Sequence, residues 1–313
     1  MNGEMPARPA REEPSLSVVI PTYGREEVLL ATLDRVEALA PAPGEIVVVD
    51  QTERHEAAVE RELAARDAAA RIRWLRRPRP SITGAMNAGL LAARGEYVLY
   101  LDDDVVPKAD LVAAHLAAHH ANHLDARVEI VAGQVFQPGE APEPLVGREF
   151  RFRSSVAQEV VEVIGCNFSV RRAAALAAGG FDERFVAVAY RYEREFCDRI
   201  RRRGGRIWFE PAASIHHLQA ARGGTRAWGS HLRSLHPGHA VGEYYYHLRR
   251  WRHAASWRGI LRRFGMSVKT RHHLRRPWWI PVTFFAEGLG FLWALSLALR
   301  GPRLLPSPVE GQR

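Results

Sequence analysis

The chain of 313 residues is long enough for one large domain, or for one domain with an appendage. Its hydrophobic fraction of 47% supports a sizeable core, and its formal net charge of +9 favours anionic partners such as nucleotides or anionic lipid surfaces. The two cysteines, Cys166 and Cys197, form neither a CxxC motif nor a disulfide framework, which fits a reducing cytosol. Residues 1–14 are polar and lack an apolar run, so we expect a flexible tail without a secretory signal.

The segment from residue 16 to residue 101 alternates short apolar stretches with helical patterns. Strands are predicted at 16–21, 45–50, 71–76 and 97–101. Helices are predicted at 25–39, after residue 50 as far as residue 70, and at 81–94. This alternation is typical of parallel βαβ units with right-handed crossovers. The carboxyl ends of the strands would then meet at one edge of the sheet, where ligands bind in open α/β folds.

Three adjacent carboxylates, Asp102, Asp103 and Asp104, directly follow the apolar strand at 97–101. Adjacent acids repel one another, and burial at a strand end increases the repulsion. A bound divalent cation relieves it, and carboxylate oxygens suit Mg²⁺ or Mn²⁺, with substrate phosphates completing the coordination shell. A solvated acidic turn is the alternative interpretation. Pro107 is predicted to open the next helix, because proline is favoured in a first helical turn.

The pattern continues less regularly after the acidic cluster. Further strands are predicted at 128–136, 159–165 and 206–210, and further helices at 171–178 and 190–203. His115, His119 and His123 share one helical face, which we expect to be an exposed polar face rather than a zinc site. From about Gly238 the alternation stops, and basic, aromatic and helical segments follow. We therefore expect a tail over 1–14, a domain over 15–237 and a helical C-terminal region over 238–313.

Five motifs follow one another between about residues 16 and 218. They are SVVIPTYGR at 17–25, IVVVDQT at 46–52, AMNAGLLAARGEYVLYLDDDV at 85–105, GCNFSVRR with GGFDERF within 165–185, and YEREFCDRIRRRGGRIWFEPAASIHH at 192–217. In this order they resemble the family 2 inverting glycosyltransferases of GT-A fold. The resemblance implies a Rossmann-like, mostly parallel sheet flanked by helices, with a helical C-terminal appendage.

The resemblance also implies a nucleotide-diphosphate sugar donor and a set of residues around it. These residues are Pro21, Thr22, Tyr23, Asp50, Asn87, Asp102, Asp103 and Asn167. The turn at 21–23 would lie against the nucleobase, Asp50 against the base or ribose, and Asn167 near the sugar. Helix capping by Asp50 and a buried strand and turn around Asn167 are the alternatives. Asn87 matches the asparagine of a family ARN motif in which Met86 here replaces the arginine.

By the same resemblance, Asp102 and Asp104 form a DxD motif for Mg²⁺ or Mn²⁺, which bridges the diphosphate oxygens. His217 is the further candidate metal ligand, with His216 as its alternative. Glu193 aligns with the general base of a family ED pair, which takes a proton from the acceptor hydroxyl. Glu195 is the alternative base.

The stretch 278–299 is apolar and carries one charge, Glu287. At ~1.5 Å per residue a continuous helix would reach ~33 Å, enough for a ~30 Å hydrocarbon core. It could be interfacial or re-entrant, span the membrane, or pack on the domain. Aromatic residues beside arginine clusters over 244–276 favour an anionic membrane surface. No RRM, KH or helix-turn-helix pattern occurs, so nucleic acid is not an expected partner.

These observations predict a metal-dependent glycosyltransferase that inverts the sugar configuration. Its acceptor would be a saccharide or a lipid-linked molecule, at the inner face of the cell membrane, in cell-envelope or extracellular polysaccharide synthesis. The alternative hypothesis is a catalytically silent relative that binds a nucleotide sugar or acts as a scaffold at the membrane.

Overall fold

The computed structural model describes residues 16–121, 128–142, 150–220, 222–224, 227 and 235–306. The strands are β1 (Leu16–Thr22), β2 (Glu45–Asp50), β3 (Arg73–Arg76), β4 (Tyr97–Leu101), β5 (Val105–Pro107), β6 (Val128–Phe136), β7 (Gln158–Glu159), β8 (Asn167–Arg171) and β9 (Arg206–His217). The helices are α1 (Glu26–Glu37), α2 (Ala57–Ala68), α3 (Ile82–Ala92), α4 (Leu111–His120), α5 (Arg172–Ala177), α6 (Tyr192–Arg202), α7 (Gly238–Leu248), α8 (Ala254–Ser267), α9 (Arg271–Arg275) and α10 (Trp279–Leu299). The tail predicted over 1–14 lies outside the described residues.

Within the described residues the strands form one mixed sheet. Its order is β3-β2-β1-β4-β8-β6-β9-β5, and β7 pairs with β9. The predicted parallel arrangement is confirmed for β1 to β4, and Thr22 stands opposite Asp50 where β1 and β2 end. The far half is mixed, because β8 runs antiparallel to both β4 and β6 while β6 and β9 are parallel. The α/β sheet predicted from the sequence is therefore confirmed, with more antiparallel pairing than expected.

Helices cover both faces of the sheet, which explains the nearly continuous apolar runs of β1 and β4. Along β1, Val18 and Ile20 join one apolar cluster and Val19 joins the other, as a two-residue side-chain period requires. Gly89 of α3 lies so close to β1 that an added Cβ atom would be 2.2 Å from Val19 Cγ1. Helix α3 is therefore packed directly against β1, whose carboxyl end reaches the acidic cluster.

Two predictions around the acidic cluster are wrong. Val105–Pro107 forms the strand β5 rather than a helix start, because Val105 pairs with His217 and Pro107 with Ile215 of β9. Proline is tolerated there because β5 is an edge strand, and α4 begins only at Leu111. The strand predicted at 159–165 shortens to Gln158–Glu159, whereas β9 continues to His217. Because β9 is longer than predicted, its last residue, His217, lies next to the acidic cluster.

The exposed histidine face predicted for α4 is also wrong for two of its three residues. His115 is fully buried, with Nε2 3.0 Å from Asn167 Oδ1 and Nδ1 2.9 Å from Ser169 Oγ. His119 is buried too, and its Nε2 lies 2.8 Å from the same hydroxyl. Burial lowers the pKa of His115 to about 4 and that of His119 to about 3, so both rings are neutral structural groups. His123 lies outside the described residues.

The C-terminal region is helical, as predicted, and α7 belongs to the main core. Tyr244 and Tyr245 of α7 are fully buried, and the Tyr245 hydroxyl donates to Asp182 Oδ2 at 2.7 Å. Helix α10 packs on α7, where an added Cβ atom on Gly290 would be 2.7 Å from Ala240 Cβ. The charge of Glu287 is balanced by Arg263 at 2.6 Å and by a hydrogen bond of 2.6 Å from the Tyr244 hydroxyl.

Beyond α10 the chain returns to the domain. Arg303 N donates to Asp182 Oδ1 at 2.8 Å, and Leu305 N donates to the Gly179 carbonyl at 2.8 Å. Of the described helices, only α10 is long and apolar enough to cross a membrane by length and composition. One of its faces packs on the protein, while the other exposes Phe285 and Leu292, which are 60% and 61% accessible.

Candidate functional site

Asp103 anchors the acidic turn after β4 to the end of β1. Thr22 donates a hydrogen bond of 2.6 Å to one carboxylate oxygen of Asp103, and Arg25 donates one of 2.8 Å to the other. The hydroxyl of Thr32 in α1 also donates to the backbone carbonyl of Asp103 at 2.8 Å. Thr22 and Asp103 were both predicted to contact the sugar donor. In the structure they bind each other, and this bond fixes the turn that carries Asp102 and Asp104.

Asp102 and Asp104 are brought together with His217, which ends β9. His217 Nε2 lies 3.1 Å from Asp104 Oδ1 and 3.7 Å from Asp102 Oδ2. One ligand atom from each of the three residues falls within 4.8 Å of the others. His216 is exposed and lies against the Phe136 ring instead. Of the two histidines considered from the sequence, His217 is the one that reaches the cluster.

The charges of this cluster suit a divalent cation. Burial raises the pKa of Asp102, and the neighbouring charges of Asp103 and Asp104 raise it further. Burial also opposes ionisation of Asp104, but the hydrogen bond from His217 and the charge of Arg25 outweigh it and lower its pKa. Two carboxylates and an imidazole fit Mn²⁺ or Mg²⁺ by ligand type, and a cation would relieve the repulsion that Asp102 experiences.

Glu193 lies in the first turn of α6. Burial raises the pKa of Glu193 to about 7, and the charge of Asp102 contributes to the shift. Gly165 lies beside it, and a Cβ atom added there would be 3.0 Å from Glu193 Oε1. Glu195, the alternative base, is engaged by Arg199 one turn along α6, with Nε 2.8 Å from Oε1. The charge of Asp102 thus acts on Glu193, whereas Glu195 is held in an ion pair.

Two cavities meet this site. The first is lined by Pro21, Thr22, Tyr23, Arg25, Gln51, Pro80, Ser81, Ile82, Asp102, Asp103, Ala187 and Gly224. The second, of about 360 Å³, is lined by Phe152, Glu162, Val163, Ile164, Tyr190, Arg191, Glu193, Arg194, Glu243 and Arg263. Asp102 faces the first cavity and Glu193 faces the second. The predicted turn at 21–23 thus lines one cavity, and the predicted base lines the other.

Arg25 was not among the candidate residues selected from the sequence, although it closes the SVVIPTYGR motif. Its guanidinium lies 2.8 Å from Asp103 Oδ1 and 3.1 Å from Asp104 Oδ2. A cationic residue three positions beyond a strand end that faces three carboxylates was the available signal. Gln51, also missed, holds the start of α3 by accepting a hydrogen bond of 2.6 Å from Ser81 N.

Two residues predicted to bind the sugar donor have side-chain amides that are hydrogen-bonded within the protein. Asn167 is fully buried and donates to the carbonyls of Gln134 and Ala213 at 3.0 and 2.9 Å. Asn87 is buried and both donates to and accepts from the backbone of Phe181. Both amides support the fold, and for Asn167 a buried strand is the alternative stated from the sequence. Contact of either residue with the donor stays a prediction.

Asp50 lies at the same sheet edge but is enclosed. Its Oδ2 accepts a hydrogen bond of 2.9 Å from Trp74 Nε1 and lies 2.5 Å from His55 Nε2. Its Oδ1 accepts one of 2.9 Å from Thr52 N. These contacts shape the strand end beside the first cavity, and contact of Asp50 with a base or ribose stays a prediction.

Solved structures with the same arrangement of strands and helices place the fold in the GT-A class. PcManGT, a mannosyltransferase from Pyrobaculum calidifontis solved with GDP-Man and Mn²⁺, matches with a TM-score of 0.56 and 19% identity over 93% of this chain and 80% of that chain. A fragment of TarS from S. aureus, solved with UDP-GlcNAc, matches with a TM-score of 0.56 and 16% identity over 91% and 88% of the two chains. GalNAc-T7, solved with UDP, GalNAc and Mn²⁺, matches with a TM-score of 0.56 and 16% identity over 67% and 44%.

The family follows from the sequence itself. The family model described as glycosyl transferase family 2 matches residues 17–177, just over half of the chain. The chain therefore belongs to glycosyl transferase family 2. No curated protein matches the sequence.

Proposed function

We propose that the protein transfers a sugar from a nucleotide-diphosphate sugar to a hydroxyl group of a saccharide or lipid-linked acceptor, with inversion. One observation carries the proposal: Asp102, Asp104 and His217 each place a ligand atom within 4.8 Å of the others, beside the cavity that the turn at 21–23 lines, while Glu193 lines a second cavity. A donor would then bind beside Asp102 and an acceptor beside Glu193. PcManGT and TarS, which share the fold, were solved with GDP-Man and UDP-GlcNAc, and this supports a nucleotide-sugar donor here.

Asp102, Asp104 and His217 are the residues that would hold Mg²⁺ or Mn²⁺. When bound, the ion would act as a Lewis acid that stabilises the charge on the departing diphosphate. Arg25 adds a fixed positive charge beside Asp104, and the turn at 21–23 forms the wall against which a base could lie. PcManGT and GalNAc-T7 were solved with Mn²⁺, which supports the same choice of ion for this chain.

Glu193 would act as the general base. A carboxylate with a pKa near 7 accepts a proton effectively at neutral pH. The acceptor hydroxyl would lose its proton to Glu193 as its oxygen attacks the anomeric carbon from the side opposite the diphosphate. A single displacement of this kind inverts the configuration.

We further propose that the protein works at the inner surface of the cell membrane, in cell-envelope or extracellular polysaccharide synthesis. The C-terminal helices expose a group of large apolar side chains: Leu261, Leu274, Trp278, Phe285, Leu292 and Leu299. Arginines such as Arg258 and Arg275 lie among them in the sequence and are exposed. Apolar anchors beside basic side chains suit an anionic lipid surface, and the packing of α10 on α7 supports an interfacial position.

A catalytically silent donor-binding protein is the second candidate function. Arg25 already supplies a positive charge 3.1 Å from Asp104, which is the charge that a metal would otherwise supply. Such a protein would bind a nucleotide sugar without transferring it. Slow hydrolysis of the donor in the presence of metal would argue against this candidate.

The first test is thermal stabilisation by nucleoside diphosphates, with and without Mn²⁺. A ligand at 100 times its dissociation constant adds ~2.7 kcal/mol to the free energy of unfolding. We expect a metal-dependent shift for one nucleotide, lost in Asp104→Ala and retained in Asp110→Ala, which removes an exposed carboxylate nearby. No shift for any nucleotide in the folded wild type would contradict the proposal. Transfer should then be lost in Glu193→Gln and kept in Glu195→Gln, and full activity in Glu193→Gln would refute the assigned base.

A further inference from the structure

A third cavity lies at the opposite end of α6 from Glu193. The cavity has a volume of about 590 Å³, and its lining residues are Asp198, Arg201, Arg202, Arg249, Arg250, Trp251, Arg252 and His253. We call it the arginine cleft. At ~1.5 Å per residue, the α6 residue Arg202 lies ~13 Å along the helix axis from Glu193. The cleft is therefore separate from the candidate donor and acceptor cavities.

The positive charge of the arginine cleft is not balanced within the protein. Its one carboxylate, Asp198, is already engaged by Arg250, by the Tyr246 hydroxyl at 2.8 Å and by Arg194 at 3.4 Å. Within the described part of the chain, the side chains of Arg201 and Arg249 make no hydrogen bond or ion pair. The carboxyl ends of α6 and α7 contribute partial negative charges of about half an elementary charge each, too little to neutralise the remaining guanidinium groups.

The arginine side chains of the cleft favour phosphate groups as ligands. Guanidinium groups present forked N–H donors that match phosphate oxygens in pairs, and they are more weakly hydrated than ammonium groups. Arg252 lies over the Trp251 ring at 5.5 Å, so its plane is held against an aromatic face. We infer that the arginine cleft binds a ligand with exposed phosphate groups, independently of sugar transfer.

Two sources could supply such a group: a diphosphate free in solution, or the headgroup of an anionic lipid. The side chains at the rim of the cleft favour the lipid headgroup. Trp251 is 56% accessible, and the Trp257 side chain, which donates to the Trp251 carbonyl at 2.9 Å, is 47% accessible. Leu261, one turn further along α8, is 71% accessible. Exposed tryptophans next to arginines are typical of segments that lie at the headgroup level of a membrane.

The test compares two double variants that remove the same charge. Arg201→Gln with Arg249→Gln alters the cleft, and Arg61→Gln with Arg94→Gln alters exposed arginines elsewhere. Pyrophosphate binding is measured by calorimetry in the presence of EDTA, and lipid binding by sedimentation with phosphatidylcholine vesicles that contain or lack phosphatidylglycerol. We expect the cleft variant to weaken binding of at least one probe by about tenfold, equivalent to about 1.4 kcal/mol, and the control by less than about twofold.

Each result bears on the inference. Loss of pyrophosphate binding alone identifies a soluble diphosphate as the ligand, and loss of vesicle binding alone identifies a lipid headgroup. Equal weakening in both double variants would overturn the inference, because the effect would then come from net charge. Failure of both pyrophosphate and anionic vesicles to bind saturably to the folded wild type would also overturn it. Unchanged melting temperatures of both variants would show that they remain folded.

Discussion

The backbone of Gly165 forms the wall against which the Glu193 carboxylate lies. A Cβ atom at Gly165 would stand 3.0 Å from Glu193 Oε1 and 2.3 Å from the Tyr192 hydroxyl oxygen. Gly165→Ala should therefore displace the proposed base while leaving the candidate metal ligands in place. We expect kcat to fall by between about tenfold and 10²-fold, with little change in nucleotide affinity. Steady-state kinetics with a nucleotide-binding assay would measure both.

The matched control for this change is Gly288→Ala. Gly288 lies in α10, and an added Cβ atom there meets no other atom within 4 Å. The control should keep its activity and gain up to about 1 kcal/mol of helix stability. Wild-type kcat in the Gly165 variant would contradict the placement of the base.

The raised pKa of Glu193 predicts the pH dependence of transfer. A general base must be deprotonated, so kcat/KM should rise with pH to a plateau, with its inflection near the pKa of about 7. Glu193→Gln should lower kcat by about 10²- to 10⁴-fold and abolish this inflection, whereas Glu195→Gln should retain it. An unchanged pH profile in Glu193→Gln would assign the inflection to another group.

The same pKa predicts an effect on stability with a definite sign. Burial raises the pKa of Glu193 from 4.5 to about 7, so the folded protein holds this proton more tightly than the unfolded chain does. The resulting stabilisation is complete below pH 4.5 and is lost as the pH rises to about 7. Glu193→Gln should thus be more stable than the wild type by about 3 kcal/mol at pH 8, and the difference should vanish in acid. Urea unfolding at the two pH values would test this, and a wild type as stable as the variant at pH 8 would contradict it.

Arg25 should contribute strongly to stability. Its guanidinium pairs with Asp103, whose side chain is 4% accessible, and removal of one partner from a buried pair leaves an uncompensated charge. Arg25→Met should lower the free energy of unfolding by about 3 kcal/mol, whereas the exposed Lys108→Met should change it by less than about 1 kcal/mol. Because Asp104 also loses a cation, Mn²⁺ should stabilise Arg25→Met more than the wild type. Thermal unfolding with and without Mn²⁺ measures both effects, and equal stabilisation would speak against metal binding beside Asp104.

The exposed face of α10 predicts lipid binding. Leu292→Glu would place a charge on this face, so sedimentation with anionic vesicles should weaken by about tenfold, since a charge at a lipid boundary costs well over 1.4 kcal/mol. Leu91→Glu is the control, because Leu91 is exposed to a similar degree on α3. Equal binding of both variants and the wild type would exclude this face from the membrane contact.

Local sequence patterns were sufficient to predict the strands that are covered on both faces of the sheet. The apolar runs of β2, β4 and β6 end at their predicted residues because strands covered on both faces read as continuous hydrophobic segments. The acidic cluster at the end of β4 could be predicted for the same reason, since the strand fixes where the three aspartates emerge. The proposed base could be placed through a motif that locates the start of α6.

The failures all depend on residues distant in sequence. Pro107 suits a helix start locally, but pairing with β9, over a hundred residues later, places it in a strand. The spacing of His115 and His119 is the same on an exposed or a buried helical face, and their partners Asn167 and Ser169 belong to β8, far along the chain. The internal partners of Asn167, Gln134 and Ala213, are likewise distant in sequence. Such partners cannot be read from one sequence without the fold.

The return of the chain after α10 has a biochemical consequence. Because Arg303 and Leu305 are bonded to residues 179–182, the segment after α10 is fastened to the same globular body on which the middle of α10 packs. We therefore expect α10 to lie at a membrane surface rather than to cross the bilayer while these bonds persist. If the protein is recovered with membranes, alkaline carbonate should release it without detergent, as it does extrinsic proteins.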